Sequence, residues 1–156
     1  MKFSYAFPLD RPAAAVWRTA ADTGRLIRCI PGVESVEPGP AGTDGAAGED
    51  GAEVYRVRMG TSLGPVRLRG TGTARVRRNP AGGPMTGNVS LGDARAGPAY
   101  ATMAFAVHAA AENKSELRLE LDVALTGKIG VLARPVLRLK ADRIAREFVR
   151  NLTGMM

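Results

Sequence analysis

Cysteine and histidine supply most nucleophiles, bases and metal ligands near neutral pH, and this sequence has one of each, Cys29 and His108. Paired, they would make a thiolate–imidazole dyad for acyl transfer. The sequence around them argues otherwise. Cys29 falls at the end of a short helical pattern, not at a helix N-terminus, and His108 lies near the close of an apolar strand, so nothing nearby lowers the thiol pKa. Cys29 reads as a small buried hydrophobe and His108 as an edge residue, which leaves no catalytic residue. With a single cysteine, an internal disulfide and a cysteine cluster for zinc or iron-sulfur are both excluded, and no metal site is expected. Gly70-Thr71-Gly72 is not a dinucleotide fingerprint, because Arg75 stands where the third glycine belongs and the stretch lies inside a strand pattern. No P-loop or zincin motif is present.

Binding chemistry is better represented. The net charge is +7, nearly all from arginine, which favours phosphates, anionic headgroups or an acidic protein partner and says nothing about fold. Arg56, Arg58, Arg67, Arg69, Arg75 and Arg77 fall on alternating positions of two segments, with Thr71 and Thr73 between them in the second, followed by Arg78, and Arg138, Arg143, Arg146 and Arg150 stand near the C-terminus. Such rows are either a solvated face or a docking surface. Nucleic acid is not expected, since single-strand recognition wants aromatic residues among the basic ones and these segments have almost none. Apolar side chains form the other candidate site. Trp17, Leu26, Ile30, Tyr55, Val57, Met59, Leu68, Met103, Phe105, Leu121, Val136 and Phe148 fall on inward positions of the elements below. Each alone reads as core; as a set they could equally line a ligand cavity.

These residues must be positioned by strands and helices. Phe3, Tyr5 and Phe7 alternate with Lys2, Ser4 and Ala6, which predicts a first strand ending at Pro8. Asp10 is the expected cap of a helix with Pro12 in its first turn. Asp22 opens a second short helix carrying Leu26, Ile27 and Ile30, and Pro31-Gly32 stops it. Pro38 to Gly51 is glycine, alanine, proline and acid without periodicity, and reads as an exposed hairpin loop. Tyr55, Val57 and Met59 then alternate with arginines. After Gly64-Pro65, Val66, Leu68, Gly70, Gly72, Ala74 and Val76 alternate with arginine and threonine, giving a long hairpin with one apolar and one basic face. Gly70 and Gly72 fall on the apolar side, where missing side chains bend the strand or leave room. Further strands are expected at Met85–Leu91, Ala99–Ala109 and Leu117–Leu125.

From Gly127 the period becomes helical, to about Leu152. Its apolar residues fall on two lines, Ile129, Leu132 and Val136, then Leu137, Ala141, Ile144, Phe148 and Leu152. Pro135 separates them as a kink or a fresh start.

Strand, two short helices, six strands and a long helix is the element order of the helix-grip fold of START and polyketide-cyclase-like proteins. The expectation is a single α+β domain over residues 1–156, a curved antiparallel sheet of about seven strands wrapped around the C-terminal helix, with a cavity between them. The residues also resemble one family within that superfamily. Pro12 with Val16-Trp17, Asp22, Leu26, the run Cys29-Ile30-Pro31-Gly32-Val33, Gly64-Pro65-Val66, Gly127-Lys128, Glu147-Phe148 and Asn151-Leu152 are similar to the carbon monoxide dehydrogenase G-subunit family of SRPBCC proteins.

The resemblance implies a non-catalytic accessory protein of a carbon monoxide dehydrogenase-type molybdenum hydroxylase. It would bind a lipophilic molecule, a quinone or lipid, in the cavity and recruit the enzyme to the membrane. Without an export signal or a spanning helix, the expected place is the cytoplasm, with peripheral contact at the inner face of the membrane. Two alternatives stand beside it: a cyclase or dehydratase-like enzyme using the same cavity, and a docking protein with a closed core.

Overall fold

The computed structural model describes residues 1–39, 53–63, 66–78, 84–91 and 99–156. Along the chain run β1 (Lys2–Leu9), α1 (Ala13–Ala20), α2 (Thr23–Arg28), β2 (Val33–Pro38), β3 (Glu53–Leu63), β4 (Val66–Arg77), β5 (Met85–Leu91), β6 (Ala99–Ala111), β7 (Lys114–Leu125) and α3 (Gly127–Gly154). Most of the expected Pro38–Gly51 loop, and the Gly64-Pro65 turn, lie outside the described residues.

The strands form one antiparallel sheet in the order β1-β7-β6-β5-β4-β3-β2. Period-two patterning builds it. On β7, Leu117, Leu119 and Leu121 are buried while Arg118, Glu120 and Asp122 are exposed. In register, those leucines meet Phe7, Tyr5 and Phe3 of β1 on one side and Val107, Phe105 and Met103 of β6 on the other. Helix α3 packs on β1 and β7 near one end of the strand order and on β3 and β4 near the other. A sheet whose two ends both reach one helix must curl around it. The α+β helix-grip architecture expected from the sequence is therefore the fold of the chain.

Local chemistry sets the helix starts. The expected Asp10 cap does not form; Pro12 itself holds the extended cap position, without a side-chain cap, and its carbonyl accepts from Ala15 N at 3.0 Å. Proline disfavours helical backbone in the residue before it, so α1 cannot extend back through Arg11. Asp22 does cap α2, its Oδ1 accepting from Arg25 N at 3.3 Å. The stop at Gly32 is backbone-driven: its φ is +92°, and an added Cβ would collide with the carbonyl oxygen of Gly60. That close approach lets Gly60 N donate to Gly32 O at 2.9 Å, tying the end of α2 to β3.

Helix α3 is continuous, with Pro135 inside it, so the proline does not mark a fresh start. The lost bond would have gone to the carbonyl of Val131, a residue 75% exposed, where water can serve instead. The second apolar line holds: Leu137, Ala141, Phe148 and Leu152 are buried and Ile144 half-buried. The first does not. Leu132 is exposed and Val136 half-buried, while Ala133 takes the inward place, because the helix keeps the phase set by its longer C-terminal half. Ile129 has no described side chain. Trp17, Phe105 and Phe148 form an edge-to-face chain, with centroids 5.4 and 6.2 Å apart, which joins α1, β6 and α3.

Candidate functional site

Between α3 and the sheet lies a cavity of about 210 Å³. Its position follows from where large side chains are missing. Alternation points Ala74 of β4, Gly87 of β5 and Ala99 and Ala101 of β6 inward, and α3 answers with Ala141; all five line the space. Gly87 pairs with Met103 and Val89 with Ala101 in the ladder, so the small residues form a patch rather than scattered gaps. At Gly87 a Cβ would meet nothing closer than 3.7 Å, so the strand does not require glycine there on steric grounds.

Nine of the twelve predicted lining residues surround this cavity: Leu26, Ile30, Val57, Met59, Leu68, Met103, Phe105, Leu121 and Phe148. Gly70 and Gly72 stand opposite Met59 and Val57 in the β3–β4 ladder and so put no side chain beside them. Three predicted residues do not reach the wall. Trp17 packs edge-on against Phe105, Tyr55 turns its hydroxyl to Glu53 at 3.2 Å, and Val136 lies half-buried against the core. Sequence reasoning missed Gly87, Ala99, Ala101 and Lys140, all of them on the wall. Inward alternation was a sufficient signal for the small residues; a search for bulky side chains passes over them.

The wall is almost wholly apolar. Among the described residues, Thr61 and Lys140 are the polar ones whose positions alternate inward or lie on the helix face toward the cavity. Arg75, Thr86 and Asn88 border it from exposed positions whose side chains alternate to the outer face of the sheet. Among the described residues the lining contains no histidine, aspartate or glutamate. The described lining thus lacks the histidine and carboxylates that most often serve as general acid and base. Among the described residues no cluster of histidine, cysteine, aspartate or glutamate could hold a metal.

Cys29 and His108 stay apart in the fold. Cys29 is buried at the end of α2, its thiol donating toward Arg25 O at 3.4 Å and touching Met155 Sδ at 3.8 Å; burial pushes its pKa up even though Arg25 opposes this. Its carbonyl accepts from Asn151 Nδ2 at 2.9 Å, which pins α2 to the last turns of α3. His108 is an exposed residue of β6 facing Glu116. No dyad exists.

The arginines at 56, 58, 67, 69, 75 and 77 are all exposed on the outer sheet face, away from α3. Arg69 meets Glu34 at 3.1 Å, and Arg56 and Arg58 share a polar recess with Ser35, Glu37 and Thr71. Arg78 does not belong to this face. It folds back to the end of α1, donating to Ala20 O at 2.9 Å, Ala21 O at 2.8 Å and Thr23 Oγ1, and pairs with Glu53 at 3.2 Å. Its job is to cap that helix and lock it to β3. Arg138 lies over the Phe3 ring, 5.8 Å from its centre.

A seven-stranded antiparallel sheet gripping a C-terminal helix, with an apolar cavity between, defines an SRPBCC-type helix-grip domain. Solved structures with the same fold agree. A conserved protein from Geobacillus kaustophilus superposes with a TM-score of 0.75 at 16% identity, covering 99% of this chain and 94% of that one. The Zhui aromatase/cyclase from a Streptomyces species gives 0.69 at 18% identity, covering 99% and 92%. A START superfamily protein from Mycobacterium smegmatis gives 0.61 at 10% identity, covering 99% of each chain. No curated protein matches the chain. Within this class the chain belongs to the carbon monoxide dehydrogenase G-subunit family, CoxG, whose sequence model matches residues 6–155.

Proposed function

We propose that the chain is a non-catalytic carrier that holds one lipophilic molecule, a quinone or lipid, in the cavity between α3 and the sheet. It does so as the accessory protein of a carbon monoxide dehydrogenase-type molybdenum hydroxylase. The observation that carries this reading is the apolar space itself. Were it empty and closed, about 210 Å³ would cost about 5 kcal/mol, a large share of the stability of a domain of this size. A closed-core docking protein has no reason to keep it, and the described wall residues offer an enzyme no histidine or carboxylate.

The reading includes two docking faces. On the solvent side of α3, Val131, Leu132 and Leu139 are 75, 51 and 73% exposed, and Arg134 and Arg138 are exposed beside them. Apolar residues flanked by arginine suit shallow contact with an anionic bilayer, the source of a lipophilic ligand. The arginine face of the sheet suits an acidic surface of the partner enzyme. No helix among the described residues is long and apolar enough to cross a membrane.

The cavity is tested by Gly87→Leu, which adds a side chain from the sheet wall without a backbone collision. Native mass spectrometry of freshly purified wild type should show a co-purifying apolar molecule, recoverable by organic extraction. The variant should keep its melting temperature, or raise it, and lose the molecule. Wild-type protein that carries nothing and fails to take up an apolar fluorophore or a quinone defeats the carrier reading.

A further inference from the structure

We propose that Lys140 reads the polar end of the bound molecule, so that the cavity selects an apolar chain ending in an oxygen acceptor, a carboxylate or a carbonyl, over one ending in a cation. This rests on the carrier reading and specifies its ligand. Lys140 lies one turn after Leu137 and one turn before Ile144 on α3, and all three line the cavity. The pattern of that face is apolar, and a leucine or methionine would continue it. A lysine there gives up hydration for nothing in the fold: half-buried, it makes no hydrogen bond or ion pair with any described residue.

A half-buried lysine keeps its aliphatic stem on apolar surface and its ammonium within reach of water. A ligand chain filling the space beneath α3 would bring its head group to that ammonium. The ammonium offers three donors and no acceptor, so it rewards carboxylate and carbonyl oxygens and repels an amine head. Among the described residues Thr61 is the other polar one directed at the cavity, and its neutral hydroxyl discriminates weakly between such heads.

The test uses one dodecyl chain with three heads, tridecanoate, dodecyl methyl ketone and dodecylamine, each displacing an apolar fluorophore. Wild type should bind the acid and the ketone about tenfold or more tighter than the amine. Lys140→Met should weaken the acid and the ketone toward the affinity of the amine while the apolar chain still binds, and Lys140→Glu should reverse the order of acid and amine. Because the whole protein is cationic, Lys114→Met at the start of β7 is the charge-matched control and should leave the preference intact. If the probes bind but the Lys140 variants keep the wild-type preference, or Lys114→Met removes it equally, head reading is wrong and the carrier survives. If no probe binds even to wild type, both fail together.

Discussion

At the scale of single residues, the sheet and the closing helix are joined by a proton. The Tyr5 hydroxyl donates to Asp142 Oδ1 at 2.7 Å, from β1 to α3. Burial, then the hydrogen bond and the charge of Asp142, favour the neutral phenol and push its pKa up to about 12, against the opposing pull of Arg138 and Arg146. A raised folded-state pKa means the proton is held more tightly in the folded chain. The resulting stability is complete below the ordinary value of 10.0 and disappears as pH climbs through about 12. Urea unfolding of wild type should therefore show a loss between those values that Tyr5→Phe does not share. Coincident curves for the two proteins across that interval would refute the coupling. The same scale shows why some wall residues were illegible. Tyr55 has the pattern of a lining residue, yet Glu53 two positions earlier and Thr23 on α2 give its hydroxyl a better place near the start of β3. Lys140 is discarded by any search for hydrophobes, and Gly87 by any search for side chains.

At the scale of elements, legibility followed the regularity of the period. Strand β7 alternates without a break and was readable to its last residue. Strand β2 was not, because its two apolar residues, Val33 and Val36, are three apart; a register shift between Val33 and Ser35 brings both to the ladder with Met59 and Val57. Helix α3 misled for the opposite reason, since a proline and an exposed apolar stripe imitate a change of helix while the backbone runs on. The junction of α2 with β2 depends on one glycine, and its role was visible only as a stop. Gly32→Ala forces a side chain into left-handed backbone and against the Gly60 carbonyl, and should cost about 3 kcal/mol in urea unfolding. Gly24→Ala, in α2 with ordinary contacts at 3.8 Å or more, should be neutral or stabilising. Equal effects at the two sites would show that the backbone at Gly32 relaxes freely.

At the scale of the whole molecule, function depends on which side faces what. The sheet has one face on the core and one in solvent, and α3 covers the core face, so the arginine rows and the exposed stripe of α3 lie on opposite sides. A net charge of +7 draws the protein toward any anionic surface and cannot choose between these sides; the apolar stripe can. Val131 and Leu139 should enter the headgroup layer, with Arg134 and Arg138 at its phosphates, while the sheet face stays free for an acidic protein. Flotation with vesicles containing phosphatidylglycerol should then be lost in the double substitution Val131→Asp and Leu139→Asp, and largely kept when Arg67 and Arg69 become serine. Added salt should weaken wild-type binding, because the arginine contribution is screened over about 10 Å at 0.1 M, but leave a residue from apolar burial. The reverse pattern, with the sheet variant detached and the helix variant still bound, would turn the molecule over and make α3 the side that meets the partner. Both exposed residues point away from the cavity, so the helix variant should still take up an apolar ligand, which separates loss of docking from loss of the fold.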